Sequence, residues 1–131
     1  MPKLEYFLVA ESVSVDQDTN SVSIFNVLEE IEAAELPVVV PKMVAISSWL
    51  VAEHEHDSDF QVTLRFSGGG FEEAEEHPFN MRRGKRARHR IFHWFKGVPF
   101  KKFGTVSFEV LLNGEHRASH TVVIEQEEES G

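Results

Sequence analysis

The sequence has 131 residues, 41% hydrophobic, 27% charged and 11% aromatic, with no cysteine and a formal net charge of −9 at pH 7. That apolar share excludes a disordered chain. The lack of cysteine excludes a disulfide scaffold, thiolate catalysis, cysteine-ligated zinc and iron–sulfur chemistry. A chain of this mass folds to about 7,000 Å² from about 21,600 Å², which buries enough surface for a core without staples. No apolar run reaches the roughly 20 residues of a membrane span, so no membrane partner is expected.

In chain order, the first run is Leu4 to Val15. Glu5 and Glu11 interrupt it, so it reads as a strand of a cytoplasmic protein and not as a signal peptide. Asp16-Gln17-Asp18-Thr19-Asn20 favours a turn, and Ser21 to Leu28 then closes a first hairpin. Residues 27–35 fit either a short helix, with Val27, Ile31 and Ala34 on one face, or an extended strand. Pro37 and Pro41 cannot donate to a ladder and separate this stretch from a third apolar run, Met43 to Ala52.

Phe60, Val62, Leu64 and Phe66 alternate with Asp59, Gln61, Thr63 and Arg65, as in a strand with one face in a core and the other in water. Ser67-Gly68-Gly69-Gly70 is a turn. After it, Phe71 to Met81 and Arg86 to Phe95 are predicted to pair around Arg82-Arg83-Gly84-Lys85. Val106, Phe108, Val110 and Leu112 repeat the alternation. Asn113-Gly114 then accepts positive φ at both central positions of a type I′ turn, which joins this run to Glu115 to Glu125. With no internal repeat and no linker, these runs predict an all-β, immunoglobulin-like antiparallel β-sandwich. It has about eight strands and at most one short helix over residues 1–125, followed by an acidic tail over 126–131.

Three strings carry a resemblance. They are Ser23-Ile24-Phe25-Asn26-Val27-Leu28-Glu29 after an Asp-x-x-Thr-Asn turn, Pro37 and Pro41 before a strand with Trp49, and Phe108-Glu109-Val110-Leu111-Leu112-Asn113-Gly114-Glu115. On these the chain resembles, over most of its length, a family of small bacterial β-sandwich proteins whose domain has no assigned function. The resemblance implies a fold and offers no site residues to carry over.

Charge is laid out unevenly. Nine basic residues and no acidic one lie between Arg82 and Lys102, interleaved with Phe92, Trp94, Phe95 and Phe100. One reading is local compensation, in which Glu72, Glu73, Glu75 and Glu76 face Arg88 or Arg90 across the predicted hairpin. A second is intermolecular: the basic lobe meets an acidic surface on another protein or on a second copy of this chain. A third is single-stranded nucleic acid bound by the basic and aromatic segment 82–103, with cations on phosphates and rings stacked on bases. Thr105 stands where a stacking ring of an RNA-recognition sheet would be. Trp49 and Trp94 are both expected in the core.

His54-x-His56 beside Asp57 and Asp59 is the one metal-like cluster, since alternate strand residues share a face and cupin sandwiches use a similar pair. Phe60 and Gln61 occupy the neighbourhood where such a site wants a glutamate. His89 with His93, and His116 with His120, are four apart, which on a strand spans about 13 Å and is too wide for one ion. Asp16-x-Asp18-x-Asn20 starts like a calcium loop but has Ser21 for the glycine and Val27 for the bidentate glutamate, so a hairpin turn is expected. No Gly-x-Ser-x-Gly elbow occurs. The sequence therefore predicts a non-catalytic interaction module without cofactor. Its predicted contact residues for an acidic protein surface are Arg82, Arg83, Lys85, Arg86, Arg88 and Arg90. The alternatives are single-stranded nucleic acid at the same segment and a cupin-like metal site at His54 and His56.

Overall fold

The computed structural model describes residues 1–55, 59–81 and 87–128. Among the described residues nine strands follow one another: β1 (Lys3–Val15), β2 (Val22–Val27), β3 (Glu30–Ala33), β4 (Val38–Leu50), β5 (Phe60–Gly68), β6 (Phe71–Met81), β7 (Arg88–Phe100), β8 (Gly104–Leu112) and β9 (Glu115–Gln126). They form a four-stranded sheet in the order β2-β1-β4-β7 and a five-stranded sheet in the order β3-β9-β8-β5-β6. The all-β sandwich expected from the alternating sequence is the observed architecture. No helix among the described residues is long and apolar enough to cross a membrane.

Period two explains how the layers close. Val62, Leu64 and Phe66 of β5 turn to the same side as Val106, Phe108 and Val110 of β8. They meet Phe7 and Val9 of β1 and Met43, Ala45 and Trp49 of β4 from the other sheet, in one buried cluster. Trp49 is wholly buried, and its Nε1 donates to Ser47 Oγ at 3.0 Å. Asn113 and Gly114 have φ of 50° and 83°, and Leu112 pairs with Glu115, so the predicted Asn-Gly hairpin is present. At the β5–β6 turn, Gly69 has φ 60°, and an added Cβ would stand 2.8 Å from Val106 Cγ2 and 2.9 Å from Phe100 Cδ1. Only glycine fits both restraints there.

Three expectations need correction. First, within residues 27–35, left open between helix and strand, β3 pairs in parallel with β9, Glu30 opposite Val123, so the sandwich is mixed and not wholly antiparallel. Among the described residues the one helical turn is a 3-10 segment at Glu53–Glu55. Second, β9 runs to Gln126, one residue past the expected end of the sandwich. Third, β6 and β7 do not pair. β6 lies along β5, and β7 lies along β4 from Val38↔Phe100 to Leu50↔Arg88. The reason lies in β4, where every residue from Met43 to Trp49 is buried. A strand apolar on both faces has to be central, with a partner on each edge. β1 supplies one and β7 the other.

The outer face of the four-stranded sheet carries a second, small apolar cluster. Ala10, Val44 and Ile46 are buried there beneath Tyr6, Val13, Ile24 and Phe92. Arg90 Nη2 donates to the Asn20 carbonyl at 2.7 Å. The distal half of the β1–β2 hairpin therefore bends over the outside of β4 and β7. This bend explains how β4 is dry on both faces.

Candidate interaction face

The predicted basic residues divide at the start of β7. Arg82, Arg83, Lys85 and Arg86 lie outside the described residues, while Arg88 and Arg90 are on β7. In the β4 register, His89, Ile91, His93 and Phe95 stand opposite the inward residues Trp49, Ser47, Ala45 and Met43. Arg88, Arg90, Phe92, Trp94 and Lys96 consequently alternate to the outer face. Lys42 lies opposite Lys96, and Lys3 is opposite Leu50, the partner of Arg88. On these three strands five cations, Lys3, Lys42, Arg88, Arg90 and Lys96, stand with the outer-face carboxylate of Glu5, and Glu11 of β1 lines a shallow depression with Lys42.

A register shift between Leu4 and Tyr6 gives Glu5 its place. The extra residue of the bulge turns the carboxylate outward, where it accepts from Ser48 Oγ at 3.1 Å, from Arg88 Nε at 2.5 Å and from Arg88 Nη2 at 3.0 Å. The fork of Arg88 holds Glu5 below the usual carboxylate range, and Glu5 in turn raises Arg88. Compensation of Arg88 thus comes from β1, and because β6 pairs with β5 while β7 pairs with β4, the cross-hairpin pairing expected of Glu72 to Glu76 with Arg88 or Arg90 does not form. On the five-stranded sheet, Glu76 lies opposite Arg65, whose guanidinium is held by Glu109 at 2.5 Å.

Trp94 also departs from expectation. It is 45% exposed, with Lys42 Nζ 4.7 Å from its ring centroid. The distance is that of a cation–π contact, so the ammonium occupies part of the indole's environment. Parity decides this placement, since the inward positions of β7 are the odd-numbered ones. Opposite polarity gathers at the far lateral edge of the sandwich, where Glu32, Glu125, Glu127 and Glu128 line an open depression beside β3.

β7 is also an edge strand. Val51 N donates to the Ala87 carbonyl, which fixes the phase of the ladder: odd-numbered residues exchange bonds with β4. The N–H and C=O groups of Arg88, Arg90, Phe92, Trp94 and Lys96 therefore point away from the sheet, where no described strand pairs with them.

Inside the edge, β7 faces β6 across a seam. Phe95 meets Phe66 and His77 edge-on, at centroid separations of 5.7 and 5.3 Å, and His93 meets the 46%-exposed Phe79 at 6.2 Å. The Nε2 atoms of His77 and His93 are buried without a hydrogen-bond partner among the described residues. Burial, and then the neighbouring charge of His77, lowers the His93 pKa. Sequence spacing missed this pair because the two residues lie on strands expected to pair in one sheet. Two other histidines are engaged separately: His120 Nε2 donates to the Leu28 carbonyl at 2.6 Å, and His116 Nε2 shares a 2.8 Å hydrogen bond with Ser119 Oγ.

Of the metal-like cluster, His54 is not on a strand. His54 is exposed on the 3-10 turn, and His56 and Asp57 lie outside the described residues. Among the described residues no group of three or more His, Asp or Glu side chains could hold a metal ion. Asp16 uses its carboxylate within the turn, with Oδ1 accepting from the Asp18 and Thr19 amides at 2.9 Å each.

A family model described as a family of unknown function, DUF6941, matches residues 5–125. No curated protein is detectably similar to the chain. One solved structure with a likeness is Pseudomonas fluorescens alkylpurine DNA glycosylase AlkC bound to DNA containing an abasic site analog. It matches at 14% identity and a TM-score of 0.49, over 91% of this chain and 30% of that one. The chain thus spans under a third of that protein's length, and a likeness at this level carries no argument about function.

Proposed function

We propose that this chain, which belongs to DUF6941 and so receives no activity from its family, is a non-catalytic, immunoglobulin-like interaction module of the cytoplasm that docks an acidic protein surface along β7. The carrying observation is the segregation of charge: five cations against the carboxylates of Glu5 and Glu11 stand around Trp94 and Phe92 on the outer side of the four-stranded sheet, in a chain whose net charge is −9. Long-range attraction brings an acidic partner to this face, and the partly exposed rings then supply area that loses water on contact.

Protein fits this face better than single-stranded nucleic acid. A stacking platform needs open ring faces. Here Lys42 lies over Trp94, and Phe92 and Tyr6 are half-buried under the bent β1–β2 hairpin.

The test compares wild type with Lys42→Glu/Lys96→Glu, both exposed positions, in cross-linking from a photoreactive residue at position 94. Acidic partners captured by wild type are expected to be lost with the variant and released as salt rises. Unchanged capture by the variant overturns the reading. Saturable quenching of Trp94 by a thymidine 15-mer at low salt replaces it with the nucleic-acid one.

A further inference from the structure

We infer that the free edge of β7 takes an extended acidic segment of its partner as an added antiparallel strand. The inference rests on the docking reading above and names the form of the partner. Its basis is the ladder phase. Arg88, Arg90, Phe92, Trp94 and Lys96 direct their backbone donors and acceptors outward, and the same five residues carry their side chains on the basic outer face. An incoming strand would exchange main-chain hydrogen bonds with each of them, and the residue directly opposite each would lie beside its side chain.

The chemistry of the segment follows position by position. Running antiparallel, it presents an acid opposite Lys96, apolar residues opposite Trp94 and Phe92, an acid opposite Arg90, and a terminal acid beside Arg88, whose fork Glu5 already holds. The intervening residues face the seam to β6. One of them, opposite His93, would cover Phe79, which is 46% exposed. A β7–β7 pairing of two copies, centred on Phe92, would instead set Arg88 against Lys96, a like-charge contact. Cations on an edge discourage indiscriminate pairing and leave an acidic strand as the compatible one.

The probe is a labelled nine-residue peptide, acetyl-Glu-Thr-Val-Ile-Val-Thr-Glu-Thr-Glu-amide, titrated into the full chain by fluorescence anisotropy. Saturable binding is expected, weakened at least tenfold by N-methylation of both valines, whose amides would face Trp94 and Phe92. The Lys96→Glu variant should weaken binding comparably, and a peptide with lysine in place of its first glutamate should restore it. Amide exchange at Arg90, Phe92, Trp94 and Lys96 should slow in the complex. If the N-methylated peptide binds as tightly as its parent while the charge swap still matters, strand addition is wrong and charge docking survives. If neither peptide shows saturable binding, strand addition is overturned. If the peptides bind but neither N-methylation nor the charge swap has an effect, both readings fall.

Discussion

Replacing Trp49 by phenylalanine probes whether the two sheets close on an indole whose polar atom is satisfied inside the core. The ring is wholly buried and its donor reaches Ser47 Oγ, itself 2% exposed. The change removes about 40 Å³, which at ~24 cal/mol per Å³ of residual cavity costs about 1 kcal/mol. Lost burial of roughly 40 Å² adds about 1 kcal/mol, and the lost hydrogen bond about 1 kcal/mol more. At an unfolding entropy of ~2.1 cal/mol/K per residue, a total of about 3 kcal/mol corresponds to a Tm drop of about 11 °C. Ser47→Ala, which strands the indole N–H, should cost about 2 kcal/mol by itself. The double variant should then fall short of additivity by at least about 1 kcal/mol, because no donor is left unpaired. Urea denaturation followed by far-ultraviolet circular dichroism measures all three. Strict additivity, or a loss under about 1 kcal/mol for Trp49→Phe, would refute the buried pair.

The remaining predictions concern the edge, the seam and a turn. In steady-state fluorescence, acrylamide should quench Trp94 far more than Trp49, and Trp94→Phe should leave a blue-shifted, protected emission; equal quenching would contradict the parity of β7. By amide exchange in the free protein, Ile91, His93 and Phe95 should be protected and Phe92 and Trp94 fast, and uniform protection would mean that the edge is covered. Burial lowers the folded pKa of His93 below its reference of 6.5, so the unfolded state binds more protons below that pH. Its contribution to stability is therefore complete above about pH 6.5 and is lost as pH falls through the folded value. His93→Gln should flatten urea midpoints across pH 6.5 to 5, and an unchanged slope would refute a buried neutral imidazole. Gly69→Ala meets both a positive φ and contacts under 3 Å, so it should destabilise by more than about 1 kcal/mol, and a neutral Tm would show that the turn relaxes freely.

Much of the fold was legible because a strand with one wet face writes its pleat into the sequence. Phe60 to Phe66 and Val106 to Leu112 could be assigned their inward and outward faces without coordinates, and Asn113-Gly114 fixed its hairpin through the φ values those residues tolerate. β4 was harder. Its unbroken burial carries no parity, and the reason, a hairpin bent over its outer side, lies in an earlier pair of strands. The 27–35 segment was ambiguous for a related reason: four strand residues pairing in parallel with β9 leave only a trace in local propensity.

Composition, local alternation and turn chemistry settled by themselves that this is an all-β chain with its cations concentrated in one stretch, because those properties depend on neighbours in sequence. Strand partnership was decided in space. β7 left the adjacent β6 for β4, since a strand buried on both faces needs partners on both edges. That choice paired Arg88 with Glu5, put Trp94 at the surface and turned five backbone positions toward an open edge. Pairing energy is collected across the sheet, between residues far apart along the chain, and no local pattern encodes it.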